Sequence, residues 1–158
     1  MTNPIRSRAL SFAQVAAVLL LAMAVVFGAA GSATAQRRPR SVRVRAVLRA
    51  ARNALGTRYR YGGSSLAGGF DCSGLTRWAW SKGGDWLPHN AWQQYRVIRR
   101  HPGRRHLEPG DLLFFYRPIS HVAIYMGRGY MIEAPHSGSR VRRVHVYWRS
   151  FTAAGRPA

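Results

Sequence analysis

The chain has 158 residues, 47% of them apolar, enough for one domain with a packed core and short for two. Basic residues outnumber acidic ones 25 to 5, a formal +20 that attracts anionic polymers. The arginines are spread along the chain without a nucleic-acid-binding motif, which argues against a nucleic-acid reader. A single cysteine, Cys72, excludes an internal disulfide.

Arg6 and Arg8 precede an apolar stretch at 15–27, and small residues then lead to Ala33-Thr34-Ala35. That order is expected of a secretory signal, 1–35, cleaved after Ala35, which places the protein outside the cytoplasmic membrane: secreted, periplasmic or bound to the cell wall. The alternative is an uncleaved anchor, but an apolar core of about 13 residues falls short of the roughly 20 that a spanning helix needs. Without Arg6 and Arg8 the remainder carries 23 basic and five acidic residues, a formal +18. For an exported protein the nearest anionic partners are cell-wall polymers and lipids.

Residues 36–42, opening QRRPR, read as a linker, 43–150 as the domain and 151–158 as a tail. Ser41 is placed to cap a helix reaching about Leu55. Val44, Val47, Leu48, Ala51 and Leu55 recur at helical spacing, the arginines between them reading as a solvated face. Residues 57–70 form a Gly-rich loop. A second helix starts at Phe70 or Asp71 and runs to Lys82, where Gly83-Gly84 stops it. Asn90 caps a short helix at 91–97, and 99–109 is irregular. Strands follow at 112–116, 121–126, 130–134 and about 140–148, with a tight turn at Gly127-Arg128-Gly129. Helices first and hairpin-linked strands after predict an α+β fold, helices on one side of an antiparallel sheet.

Cys72 falls at the first turn of the second helix, where unpaired N–H groups and the helix dipole favour a thiolate. Taken alone it is either that or a small buried thiol. Gly74 reads as room for a substrate backbone. A cysteine nucleophile needs a base and a group to orient it. His121 opens a strand where the apolar pattern does not call for histidine. His89, His101, His106 and His145 read as solvated. If the hairpin centres on Arg128, facing residues have numbers summing to 256, so His121 lies opposite Pro135, one diagonal step from Glu133 and on its face. His136 is the other candidate orienter, but its parity points it the other way. The plain alternative for Glu133 is an ion pair with one of many arginines. The histidines lack metal-ligand spacing, so no metal and no cofactor are expected.

Four motifs in this order resemble the NlpC/P60 family: Asp71-Cys72-Ser73-Gly74; Pro109-Gly110-Asp111-Leu112-Leu113-Phe114-Phe115; His121-Val122-Ala123-Ile124-Tyr125-Met126-Gly127; and Met131-Ile132-Glu133-Ala134-Pro135. The loop from Gly56 to Gly63 and Leu87-Pro88, with Gln93 or Gln94 beyond it, fit too. The resemblance implies a papain-like fold and hydrolysis of peptidoglycan peptide stems at a γ-D-glutamyl–diamino-acid bond, by a monomer. It implies Cys72 as nucleophile, His121 as base and Glu133 as its orienting group. Tyr59 and the Cys72 N–H would face the oxyanion, while Asp71, Ser73, Tyr61 and His136 would face substrate. Tyr61 stands where the family has Trp, and His89-Asn90 where Arg-Thr or Arg-Ser is more frequent. Two rival readings keep the fold: a wall- or partner-binding module without activity, and a lipid acyl hydrolase or transferase.

Overall fold

The computed structural model describes residues 38–157; the expected export signal, 1–35, lies outside them. Three helices come first: α1 (Arg40–Asn53), α2 (Cys72–Lys82) and α3 (Ala91–Val97). Between α1 and α2, β1 (Ser64–Ser65) and β2 (Gly69–Phe70) form a short pair. A five-stranded antiparallel sheet follows, built from β3 (Leu112–Phe115), β4 (His121–Gly127), β5 (Tyr130–Glu133), β6 (Arg142–His145) and β7 (Phe151–Gly155). Its spatial order is β6-β5-β4-β3-β7. No helix among the described residues is long and apolar enough to cross a membrane.

The helical periodicity of α1 buries Val44, Val47, Ala50 and Ala51. Two details differ from the sequence expectation. The first turn closes on the Pro39 carbonyl, which accepts from Val42 N and Arg43 N, so residues 40–42 are helix rather than linker and Ser41 is not the cap. Arg43 is not solvated; it is 4% exposed, donates to the Gly83 carbonyl at 3.1 Å and pairs with Asp85. A buried guanidinium at this spacing cannot be told from its solvated neighbours until the Gly83–Asp85 turn is placed beside it.

The unbroken apolar run of β3 reflects burial on both sides. Leu112 and Phe114 join Val122, Ile124 and Ile132 against the helices, while Leu113 and Phe115 meet Ala123, Met131 and Val146 on the opposite face. The β4–β5 hairpin has the expected register: Ile124 faces Ile132 and Tyr125 faces Met131.

The expected tail is a strand. Residues 151–155 form β7 at the sheet edge, with Ala154 opposite Leu113 and Gly155 opposite Leu112, so the domain runs past 150. After Phe151 and Thr152 its alanines and glycine carry no strand signal, yet smallness suits the position: a Cβ on Gly155 would lie 3.0 Å from the Phe114 ring. The next residue locks the strand. Arg156 Nε and Nη2 donate to the two oxygens of Asp111 at 2.8 Å each, and Asp111 Oδ2 also accepts from Glu108 N at 2.8 Å. The hydrogen bonds with Asp111 raise the Arg156 pKa above its ordinary value. Asp111 therefore ties the start of β3 to the end of β7.

Because both partners are buried, removing Asp111 takes away the two-oxygen fork and leaves the Arg156 charge to the half-exposed Glu108 alone. Asp111→Ala should lower unfolding free energy by about 3–5 kcal/mol in urea titration; a loss below about 1 kcal/mol would show that the fork does not hold β7.

Candidate active site

Asp71 places the cysteine. Its side chain caps α2, with Oδ1 accepting from Gly74 N at 2.7 Å and Ser73 Oγ at 3.0 Å. Oδ2 accepts from Gly62 N at 2.8 Å, drawing the Gly-rich loop onto the helix start. His89 Nε2 lies 3.0 and 3.1 Å from the two carboxylate oxygens, so His89 is not a solvated loop residue. Cys72 is thus the first residue of α2, half-buried, at the positive end of the helix dipole. Gly74 has a different reason from the one expected: a Cβ there would sit 2.0 Å from the Gly63 carbonyl oxygen, so it admits the protein's own loop. Of the two glutamines, Gln94 is the buried one. Its Nε2 donates to the Ser73 and Pro88 carbonyls at 2.9 and 2.8 Å, and its Oε1 accepts from Thr76 Oγ1 at 2.8 Å.

His121 opens β4 and Glu133 closes β5, and the matched register brings them together. His121 Nε2 lies 2.8 Å from Glu133 Oε2, with the two residues 6% and 0% exposed. Nε2 is taken by the carboxylate, which leaves Nδ1 as the ring nitrogen free to exchange a proton with the Cys72 thiol that lines the same hollow. Burial opposes a charge on the imidazole, but hydrogen bonds with Cys72 and Glu133 outweigh it and raise the pKa to about 9. Burial likewise opposes ionisation of Glu133, but donation from His121, Tyr147 and Arg142 holds its pKa below the ordinary value. Arg142 Nε and Nη2 lie 3.0 and 2.9 Å from Glu133 Oε1, and the Tyr147 hydroxyl donates to Oε2. Burial first, and then the hydrogen bond to Glu133, raise the Tyr147 pKa. His136 is exposed and its Nδ1 bonds the Ser137 carbonyl at 2.9 Å, so it does not contact the imidazole.

Two hollows of ≈ 530 and ≈ 450 Å³ meet at Tyr59, Cys72 and Ser120, leaving the thiol at the waist of one cleft. His121, His136, Tyr116 and Tyr147 line one side, and Tyr61, Asp71, Ser73 and His89 line the other. Burial raises the Tyr59 pKa, keeping its hydroxyl a proton donor. Tyr116 reaches the cleft from a left-handed backbone with φ 70°. Among the described residues no three His, Cys, Asp or Glu side chains gather as a metal-binding group. Sequence reasoning missed Tyr147, Arg142 and His89. Arg142 pairs with Glu133 across β5 and β6, a relation visible only once that register is known. Tyr147 falls in the strand expected at about 140–148, but β6 ends at His145 and Tyr147 lies just beyond it, while His89 lies on an irregular segment.

A cysteine at the first turn of a helix, packed on an antiparallel sheet that carries a histidine–carboxylate pair, is a papain-like α+β arrangement. The NlpC/P60 family description matches residues 56–156, and the chain belongs to that family. The probable endopeptidase Rv2190c of Mycobacterium tuberculosis is 41% identical over 103 residues, covering 63% of this chain and 25% of its own. The peptidoglycan endopeptidase RipA of the same organism is 38% identical over 110 residues, 61% of this chain and 23% of its own. The chain thus spans about a quarter of the length of these relatives. Among solved structures, the M. tuberculosis peptidoglycan hydrolase RipB superposes with TM-score 0.70 at 31% identity, over 92% of this chain and 85% of its own. RipD of M. tuberculosis, described as a non-catalytic NlpC/p60 domain protein adapted to peptidoglycan binding, gives TM-score 0.64 at 26% identity, over 72% and 96%.

The raised His121 pKa has a signed consequence. The folded value of about 9 exceeds the unfolded 6.5, so the stability from its pairing is fully present below about pH 6.5 and is lost as pH rises through about 9. Imidazole NMR titration of His121 should give a midpoint near 9 in the wild type and a lower one in Glu133→Gln. An unmoved midpoint would show that the carboxylate does not hold the proton.

Proposed function

We propose that this protein is an exported cysteine endopeptidase that hydrolyses peptidoglycan stem peptides at the γ-D-glutamyl–diamino-acid bond, with Cys72 as nucleophile, His121 as base and Glu133 as the group that orients it. The observation that carries this reading is the buried His121–Glu133 pair at 2.8 Å, whose imidazole lines one hollow with the only thiol in the chain. A His121 pKa of about 9 favours a thiolate–imidazolium pair at neutral pH. The thiolate attacks the scissile carbonyl. The Cys72 N–H, among the N-terminal helix N–H groups that have no intrahelical acceptor, and the Tyr59 hydroxyl receive the oxyanion. Imidazolium protonates the departing amine, and neutral imidazole then takes a proton from the water that releases the acyl group. Asp71, Ser73 and Tyr61 bound the side of the cleft opposite His136, so the stem extends across Cys72 between them. The endopeptidase names of the relatives and the hydrolase title of RipB support the peptide-bond chemistry. The likeness to RipD supports a second reading, a wall-binding domain without turnover, but the thiol, imidazole and carboxylate lie together in this cleft.

Digestion of purified muropeptides, read by mass spectrometry, separates the two readings. Cys72→Ala should abolish product while preserving fold, and Glu133→Gln should lower kcat by about 10²–10⁴-fold with little change in KM. His136→Ala should act chiefly on KM. An active Cys72→Ala protein, or full activity in Glu133→Gln with none in His136→Ala, overturns the assignment.

The thiol offers a direct readout. Iodoacetamide at pH 6.5 should label native Cys72 far faster than free cysteine. Labelling only after denaturation would make it a structural thiol. Intact mass of secreted protein should begin at Gln36; retention of 1–35 would indicate an anchor.

A further inference from the structure

Every one of the five acidic side chains already has a basic partner among the described residues. Asp71 meets His89, Asp85 meets Arg43, Glu108 and Asp111 share Arg156, and Glu133 meets His121 and Arg142. Arg40 shares Glu108 and Asp111 as well, whereas Arg99 and Arg100 have no carboxylate partner among the described residues and stand at a groove that the cleft does not use. This groove, ≈ 660 Å³, shares no lining residue with either hollow beside Cys72. Trp86, Leu87, Val97 and Ile98 form its apolar wall; Arg99, Arg100, Arg40 and Arg156 line it too, with one carboxylate, Asp85, that Arg43 holds. Trp86 is 72% exposed and Val97 56%, whereas bulky apolar side chains are usually covered. Arg77 lies over the Trp86 ring at 5.6 Å.

The groove is mechanically joined to the cleft. Leu87 lines the groove, and two residues on His89 bonds Asp71. Helix α3 starts with Ala91 at the cleft and ends with Val97 at the groove, a span of roughly 10 Å at 1.5 Å per residue. A polymer held in the groove therefore lies within a few sugar units of the thiol.

We propose that the groove binds an acidic polysaccharide of the cell wall, an inference that rests on the wall location argued above but not on catalysis. The hydrogen-bearing face of a pyranose stacks on the indole, and the guanidinium groups fork onto carboxylate or phosphate oxygens. Single-stranded nucleic acid would use a succession of stacking platforms, and this wall offers one indole.

Calorimetric titration of the purified protein with polygalacturonate tests the proposal, with dextran as the neutral polysaccharide and oligo-dT as the anionic non-polysaccharide. Saturable binding to polygalacturonate is expected, stronger than to either comparator. Trp86→Ala, and Arg99→Gln with Arg100→Gln, should each weaken it about tenfold, with Trp86→Tyr restoring most of the loss and muropeptide hydrolysis unchanged. The pair Arg45→Gln and Arg52→Gln removes equal charge from the exposed face of α1 and should leave binding within about twofold. Equal weakening by that pair would reduce the effect to net charge and overturn the site. Equal affinity for oligo-dT, or indifference to Trp86→Ala, would overturn the ligand class. If no variant hydrolyses muropeptides and groove binding persists, the enzyme reading falls and the groove stands.

Discussion

The Asp71 carboxylate is the joint on which the cleft depends. In one position it caps α2, holds the Gly-rich loop through Gly62 N and meets His89 from the turn before α3. Without that cap the first turn of α2 would lose its hydrogen-bonded start, and the cysteine would lose both its position and the favourable end of the helix dipole. The close contact between Gly74 and the Gly63 carbonyl depends on the same docking. Three segments far apart in a linear view of the cleft thus answer to one side chain.

A second carboxylate sets the charge around His121. Glu133 is fully buried, and an isolated ion there would be costly. Three donors from three places compensate: the imidazole of β4, the guanidinium of β6 and the hydroxyl of Tyr147 beyond it. Cys72 first, and then the negative charge that survives on Glu133, raise the His121 pKa to about 9, so the protein builds its imidazolium from neighbours rather than from solvent exposure. Arg142 and Tyr147 bond Glu133 and also line the hollow that holds Cys72.

Scarcity of acids explains both the organisation of the interior and the character of the surface. With five carboxylates in the chain, each is placed at a junction: helix start, turn, strand end or imidazole. Of the outer arginines they reach few, Arg40 and Arg142 among them, so the surface is cationic by default. The groove beside Trp86 differs from the rest of that surface in adding an apolar wall to the charge.

What the sequence by itself determined was local. Helical spacing in α1 and the caps at Asp71 and Asn90 are short-range patterns, as are the turn at Gly127-Arg128-Gly129 and the parity that puts His121 and Glu133 on one face. Each follows from the 3.6- and 2-residue periods of the backbone. The four ordered motifs carried the family and its fold in the same way. Tertiary structure decided whatever needed a partner distant in sequence. Arg43 is buried because Asp85 comes to it, Gly74 is small because Gly63 lies against it, and Tyr147 belongs to the site because Glu133 is there. The strand at 151–155 was illegible for the same reason: its alanines and glycine prefer no strand, and only the pairing with β3 and the Arg156–Asp111 fork make it one. Propensity is a property of a segment, whereas burial and pairing belong to two segments at once, and one sequence read in order shows only the first.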